Sequence, residues 1–256
     1  MTLEYIEPIV ARDMPGLRLA LTAHMPAPYS MSARAILDLK KVGYVPVNQV
    51  AAGANEVLQA WTGHRNAPVA VYENEAPRTG WLEILHLAER LGKGPSLIPS
   101  DLRERMLMIG LINELIGEDG WIWNLRVLML GMVGPERAAK GLKTNPMYAQ
   151  YGYSEAAQKQ AGAKAREILD MFTSHLKSQR DRGSHYVIGE ALSAADIYWA
   201  CFSLLAKTLP ADVCAIPAGL RKSYDLGSEA IGGCDPILIE QRDWVFENHL
   251  SLPMTF

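Results

Sequence analysis

The sequence predicts a two-domain protein in which a small α/β domain is followed by an all-helical domain. Short apolar runs separated by turn residues alternate with helical patterns up to residue 92. A stretch rich in glycine and proline follows, and every strong segment beyond it has helical spacing. The chain therefore divides into an N-terminal arm (1–15), an α/β domain (16–92), a linker (93–100) and a helical domain (101–256).

Composition and charge exclude several classes of protein. Of the 256 residues, 49% are hydrophobic and 21% are charged, which is typical of a folded chain. The net charge of -3, without a basic run, excludes binding to nucleic acid or to an anionic membrane surface. The longest apolar stretches, such as 197–206, have about half of the roughly 20 residues that a membrane-spanning helix needs.

The N-terminus and the cysteines predict a cytoplasmic protein. Glu4 and Glu7 stand where a signal peptide would have basic residues and an apolar run. Cys201, Cys214 and Cys234 are odd in number and widely spaced, without a CxxC motif. This pattern favours a reducing compartment and argues against structural disulfides and against a metal site.

The first domain alternates strands and helices. Leu17–Ala23 is short and apolar and precedes a proline-rich turn, as a strand does, and helical spacing then begins at Ser30 and closes at Gly43. The strand at 44–47 belongs at a sheet edge because proline donates no hydrogen bond. The remaining elements are a helix over 49–62, a strand over 68–72, a turn, at most a short strand around 76–79, and a helix over 81–91.

The second domain contains three long helical patterns before its C-terminal third. They cover 101–117, capped by Ser100, then 121–133, and then 155–180, capped by Ser154. The second helix is apolar nearly all round, so we expect it to be buried. The residues of the first helix that are expected to face the core are Leu102, Met106, Ile109, Ile112 and Ile116.

The segment Gly189–Ile197 is the most specific motif in the chain. Ser193 at the N-cap and Asp196 three residues later form a capping box, in which each side chain accepts a backbone N–H of the first helical turn. The helix that follows is so apolar that it must lie in the core. Because a buried helix end needs its amides satisfied, the motif predicts a structural role and no chemistry.

The segment from Tyr186 to Asp196 closely resembles the capping segment in the helical domain of the glutathione S-transferase superfamily. The order and type of elements over about residues 16–250 are also similar to that family. The resemblance implies a thioredoxin-like N-terminal domain, a C-terminal helical bundle, a homodimer, and glutathione as co-substrate in a cleft between the domains, without a metal.

The resemblance places the thiol chemistry where the first strand meets the first helix. Pro26–Arg34 resembles the Cys-Pro-Tyr/Phe opening of omega-like members, with Ala27 in the cysteine's place, so a mixed disulfide cannot form there. A helix N-terminus lowers the pKa of a thiol, and a hydroxyl group can stabilise the thiolate. Ser30 is the first candidate for that hydroxyl and Tyr29 the second; the alternatives are an N-cap role and simple packing. His24 is a candidate substrate contact or a surface residue.

Further contacts with glutathione are implied at two places. Ala67, before a cis Pro68, would bind the cysteinyl group through its backbone. Thr79 would offer a hydroxyl and the amides of a helix start to the γ-glutamyl group, while Arg78 replaces the family's usual acidic residue. Arg78 would either clamp a ligand carboxylate or lie solvated at the surface.

Three residues of the second domain are candidates for the substrate pocket, namely Trp121, Trp123 and Arg126; the alternative is that the aromatic rings belong to the core. The leading hypothesis is an enzyme that conjugates or transfers glutathione to an apolar electrophile. One alternative is a non-catalytic binding module that has lost glutathione binding. A third is an enzyme that binds another carboxylate-bearing ligand through Arg78.

Overall fold

A computed structural model describes residues 3–139 and 147–256, which form two compact units. The first unit contains the chain up to Leu97 together with Pro210–Ile216 and Leu250–Phe256, and the second contains Ile98–Leu209 and Pro217–His249. The first unit is α/β and the second is helical. The predicted fold class is therefore confirmed.

The sheet of the first unit has the strand order β2-β1-β3. Strand β1 (Leu17–Thr22) runs parallel to β2 (Val45–Gln49) and antiparallel to β3 (Val69–Tyr72). All six residues of β1 are buried, as expected for a central strand. At the outer side of β2, Ile6 donates its N–H to the Pro46 carbonyl at 2.9 Å, so the N-terminal arm extends this edge.

Four helices of the first unit cover its sheet or pack beside it. They are α1 (Pro8–Ala11), α2 (Pro28–Leu39), α3 (Glu56–Thr62) and α4 (Trp81–Leu91). Helices α1 and α3 bury the face of the sheet that carries Ala20 and Val47, and α2 packs against α4. Helix α2 begins two residues before the predicted start, because Pro28 at its first position has the backbone angle that a helix needs.

The second unit is built around one fully buried helix. Every residue of α9 is buried, and it packs against α5 and α11. The predicted burial of α6 is also observed along Trp121–Leu130. The described helices are α5 (Leu102–Ile116), α6 (Trp121–Ala139), α7 (Met147–Gln150), α8 (Glu155–Asp181), α9 (Ala194–Phe202), a short 3-10 helix (Ser203–Leu205), α10 (Ala218–Ala230) and α11 (Pro236–His249).

The predicted capping box is present at the start of α9. The Asp196 carboxylate accepts the backbone N–H of Ser193 at 2.9 Å and that of Val187 at 2.8 Å, and it also accepts the Ser193 hydroxyl and the Gln241 amide. Burial raises the pKa of Asp196 to about 6, although these hydrogen bonds favour the charged form. One carboxylate thus satisfies a helix end that water does not reach.

Two predictions for α5 are wrong. Asp101, not Ser100, is the N-cap, since its carboxylate accepts the N–H groups of Arg103 and Glu104. Leu102 and Met106 are exposed, at 58% and 66%, although they were expected to face the core. The buried residues are instead Met108, Ile112, Leu115 and Ile116. The helix has apolar residues on two sides, so helical spacing alone does not select the buried one.

Two boundaries in the first unit also differ from the prediction. The helix expected over 49–62 begins only at Glu56, because β2 extends to Gln49 and a turn follows it. The Asn55 side chain stabilises this turn, since it accepts the N–H of Val50 and donates to the Val50 carbonyl. The short strand expected around 76–79 is a single bridge between Ala70 and Arg78.

Candidate functional site

The end of β1, the start of β3 and the start of α4 meet at one edge of the first sheet. In the pairing of β1 with β3, Ala20 lies opposite Val69, so Ala67, two residues before the start of β3, lies beyond this pair at the end of the sheet where β1 ends. Ala70 exchanges two backbone hydrogen bonds of 2.9 Å with Arg78, which brings the segment before α4 alongside β3. The candidates of the first domain therefore lie within one small region.

Ser30 is held in a buried hydrogen-bond network. It is the third residue of α2, whose N-cap is Ala27, so the N-cap interpretation of Ser30 is wrong. Its Oγ accepts the Thr22 N–H at 3.0 Å and donates toward Thr22 Oγ1 at 3.4 Å. The Thr22 hydroxyl in turn donates to Gln49 Oε1 at 2.8 Å. The Ser30 hydroxyl thus fastens the end of β1 to the start of α2.

The first turn of α2 has no side-chain cap, because Ala27 carries no acceptor. Its backbone N–H groups and the positive end of the helix dipole favour an anion there. Tyr29, the second residue of the helix, is partly exposed, and its carbonyl accepts the Ser32 hydroxyl at 3.1 Å. His24 is exposed in the preceding turn, where its ring lies 5.3 Å from the Tyr5 ring.

Ala67 presents a backbone edge at the start of β3. The Ala67–Pro68 peptide bond is cis, as predicted. In the part of the chain that the structure describes, neither the N–H nor the C=O of Ala67 makes a hydrogen bond. Ala67 is also partly exposed, so both groups are available to a ligand with a peptide backbone.

The start of α4 differs from the expected arrangement. The helix begins at Trp81 as predicted, with Gly80 as its N-cap, so Thr79 lies just before the N-cap. Two N–H groups there are already bound: Glu83 Oε2 accepts the Gly80 N–H at 3.0 Å and the Thr79 N–H at 3.3 Å. A carboxylate of the chain itself therefore stands where a ligand carboxylate was expected.

Arg78 likewise has a partner within the chain. Its Nη2 lies 2.5 Å from Glu75 Oε2, and Arg90 binds the same carboxylate at 2.6 Å. The hydrogen bonds from Arg90 and Arg78 lower the pKa of Glu75, which keeps that carboxylate ionised. Arg78 is not simply solvated, since Nη2 binds Glu75 and Nη1 is buried without a hydrogen-bond partner among the described residues. Binding of a ligand carboxylate by Arg78 stays a prediction.

A small cavity in the first unit lies where β1 ends and α2 begins. Arg34 on α2 donates a hydrogen bond to the Thr255 carbonyl, and Met254 donates its N–H to Val213 at 2.8 Å. These bonds hold the segment Leu250–Phe256 beside the start of α2. The residues that line the cavity are Leu3, Tyr5, Leu21, Thr22, Met25, Ser30, Met31, Arg34, Thr255 and Phe256. The sequence analysis missed Arg34 and this segment, since no local pattern connects them.

The three pocket candidates of the second unit have different environments. Trp121 is fully buried and lies 5.5 Å from Trp199, so it belongs to the helical core, the alternative given for these aromatic residues. Trp123 is partly buried against Tyr151, at 4.9 Å. The Arg126 guanidinium lies 5.4 Å from the Tyr224 ring. A pocket role for Trp123 and Arg126 stays a prediction.

Comparison with known proteins identifies the architecture. Residues 125–219 match the family model described as the glutathione S-transferase C-terminal domain. The Tau class glutathione S-transferase from mango is similar in structure, with a TM-score of 0.54 and 21% identity over 92% of this chain and 99% of that one. The chain has the fold of the glutathione S-transferase superfamily. The resemblance inferred from the capping segment is thereby confirmed, with a thioredoxin-like first domain and a helical second domain.

Two further solved structures show the same fold. A glutathione S-transferase from Methylobacillus flagellatus, with glutathione bound, has a TM-score of 0.59 at 14% identity over 91% of this chain and 95% of that one. A glutathione transferase family member from Pseudomonas fluorescens, with two glutathione bound, has a TM-score of 0.57 at 15% identity over 93% of each chain. No curated protein matches this chain in sequence.

Residues 3–139 and 147–256 lack two features, a membrane-spanning helix and a cluster of metal ligands. No helix in these ranges is long and apolar enough to cross a membrane. The same residues contain no group of three or more histidine, cysteine, aspartate or glutamate side chains placed to hold a metal ion.

Proposed function

We propose that this glutathione S-transferase-like chain is an enzyme that binds a thiol co-substrate at the edge of its first sheet and transfers it to an apolar electrophile. The observation that carries the proposal is the uncapped start of α2 at the same sheet edge as the free backbone groups of Ala67. Glutathione, which is present in the two bacterial structures, is the reference thiol.

Activation of the thiol is the first requirement of this chemistry. A free thiol with a pKa of about 8.5 is mostly protonated at neutral pH, and the N-terminus of a helix stabilises the thiolate. The thiol proton leaves to solvent, and the thiolate sulfur then forms a bond to an electrophilic carbon as the leaving group departs with its electron pair. Since Ala27 replaces a cysteine, the sulfur forms no disulfide with the chain at this place.

Tyr29 is the hydroxyl that we assign to the thiolate, ahead of Ser30. The Ser30 side chain is buried, whereas the Tyr29 side chain is partly exposed at the start of α2. A hydroxyl that donates to the sulfur stabilises the charged form and so increases its population near pH 7.

Turnover of chlorodinitrobenzene with glutathione or a smaller thiol tests this proposal. We expect Tyr29→Phe to lower kcat/KM about tenfold or more, because it removes one hydrogen bond to the nucleophile. Tyr44→Phe, the same substitution at a tyrosine whose hydroxyl donates to Asp38 Oδ1 at 3.0 Å, is the matched control and should retain the activity. An absence of both thiol binding and turnover in the unmodified protein would refute the proposal.

The second candidate is a binding module without catalysis. It is favoured by the start of α4, where Glu83 already binds the amides, and by Arg78, which is paired with Glu75. If the chain is such a module, we expect no turnover with any thiol, although the protein is folded. The same assay, combined with calorimetry of thiol binding, distinguishes the two candidates.

We also propose that the chain forms a homodimer through the outward side of α5. Leu102, Met106 and Leu107 are exposed on this helix, at 58%, 66% and 48%. Exposed apolar side chains clustered on one helix are typical of a protein interface. Met106→Glu should shift the mass measured by light scattering from dimer to monomer, while Met171→Glu on α8, an equally exposed methionine, should not.

A cytoplasmic location is proposed from the cysteines. Cys201, Cys214 and Cys234 form no disulfide bond, and the first two are buried. Burial raises the pKa of the Cys201 thiol to about 12, which leaves it unreactive. Unpaired cysteines are typical of a reducing compartment.

A further inference from the structure

We infer that the thiol co-substrate carries no carboxylate at the end that faces α4, because Glu83 takes the place of that carboxylate. The inference rests on the proposed function and specifies the chemical class of its thiol. The expected co-substrate has a neutral or cationic group at this end. Glu83 and Gly80 are then specificity-determining residues.

The first argument is the hydrogen bonding of Glu83. One oxygen, Oε2, accepts the backbone N–H groups of Gly80, the N-cap of α4, and of Thr79 before it. The same carboxylate places a negative charge at the positive end of the helix dipole. A ligand carboxylate can bind these two N–H groups only after Glu83 leaves.

The second argument is the residue at the N-cap. Gly80 has φ -70° and ψ 139°, an extended conformation that any residue adopts, so backbone geometry does not require glycine. A Cβ atom at this position would lie 3.1 Å from Glu83 Oε2, which is tighter than nine in ten real contacts of a Cβ atom. The Glu83 carboxylate would then have to move by a few tenths of an ångström, so glycine at position 80 favours the observed arrangement.

The third argument is charge. Arg78, which precedes α4, is bound to Glu75, and Arg90 in the last turn of α4 binds the same carboxylate. Arg78 is therefore already paired with an anion of the chain. A carboxylate of the ligand would add an unmatched negative charge beside Glu83, whereas a neutral group or an ammonium group would not.

Two ligands that differ only in the carboxylate test the inference. One is glutathione, and the other is its analogue in which a γ-aminobutyryl group replaces the γ-glutamyl group, so that the thiol and the remaining backbone are kept. For the unmodified full chain, isothermal titration should show the analogue binding about tenfold more tightly than glutathione, since glutathione must first displace the Glu83 cap.

Variants of Glu83 supply the converse result. In Glu83→Ala, glutathione should bind about tenfold more tightly than to the unmodified chain, because the N–H groups of Thr79 and Gly80 become free. Binding of the analogue should stay unchanged. Glu83→Gln keeps the shape of the side chain and should also increase the affinity for glutathione, by a smaller factor. It keeps the test valid if the alanine variant misfolds. Glu56→Gln, an exposed glutamate in the first turn of α3, is the matched control and should alter neither constant.

The outcomes separate the inference from the proposed function. Equal binding of the two ligands by the unmodified chain, with no change in Glu83→Ala, would overturn the inference and leave the thiol site intact. No binding of either ligand by the unmodified chain or by the Glu83 variants would overturn the proposed function, and the inference with it.

Discussion

Helices α9 and α4 begin with the same local device in opposite surroundings. In each, an acidic residue three positions after the N-cap accepts backbone N–H groups of the helix start: Asp196 at α9 and Glu83 at α4. Asp196 is fully buried and binds four donors, whereas Glu83 is exposed and binds two. The first carboxylate is required for folding, because water cannot replace it. The second can be replaced by water or by a ligand, so its removal should affect ligand binding more than folding.

The largest effect is expected at the buried cap. Asp196→Ala leaves the N–H groups of Ser193 and Val187 buried without an acceptor, which should lower the free energy of unfolding by about 3 kcal/mol or more. Glu83→Ala, at the exposed cap, should cost about 1 kcal/mol or less. Urea unfolding followed by circular dichroism measures both, and equal losses would show that burial does not distinguish the two caps.

The pH dependence of stability sharpens the same comparison. Burial raises the pKa of Asp196 to about 6 from the ordinary value of 3.8, so the carboxyl group binds its proton more tightly in the folded state than in the unfolded state. The contribution of this group to stability therefore rises as the pH falls from about 6 to about 4 and is lost as the pH rises through 6. Unfolding of the unmodified chain and of Asp196→Asn across this range isolates the contribution; a difference between them that is independent of pH would contradict the assignment.

A smaller effect on stability is expected at the start of α2. Ser30→Ala removes the acceptor of the buried Thr22 N–H and should lower the free energy of unfolding by about 1–2 kcal/mol. The turnover of correctly folded protein should be retained, since this hydroxyl is directed at Thr22. A loss of kcat in Ser30→Ala as large as that in Tyr29→Phe would instead return Ser30 to the role of the catalytic hydroxyl.

The smallest effect concerns the segment Leu250–Phe256. Arg34→Ala removes the hydrogen bond to the Thr255 carbonyl, at a cost of about 1 kcal/mol or less to overall stability. The released segment should be cleaved faster by a nonspecific protease, and Arg12→Ala, whose charged group lies beside Asp13 at the surface, is the control. Cleavage rates that do not differ would show that other contacts hold the segment.

Features that depend on neighbouring residues could be predicted from the sequence. The cap at Ser193 and Asp196 and the bounds of α4 follow from local hydrogen-bonding capacity and helical spacing. The exposed side of α5 was missed because the helix is apolar on both sides, and packing with distant helices selects the buried one. The contact between Arg34 and Thr255 joins residues far apart in the chain, for which no sequence pattern exists.

The role of Glu83 was missed for a different reason. The bounds of α4 were predicted, but the Thr79 hydroxyl before it suggested a ligand contact, and no role was predicted for Gly80, the N-cap, or for Glu83, which fills the space beside it. A glycine followed three residues later by glutamate before an apolar helix is a usable signal for this arrangement. Local strength of a motif therefore predicts the cap, but burial decides whether the cap serves folding or binding.

The state of the bound thiol tests the central claim most directly. Thiolate absorbance in the ultraviolet, measured against pH with the γ-aminobutyryl analogue of glutathione bound, reports the pKa of the thiol at the start of α2. The account predicts a value at least about one unit below the free value of about 8.5, and a return toward the free value in Tyr29→Phe. A bound thiol that titrates at its free value in both proteins would contradict it.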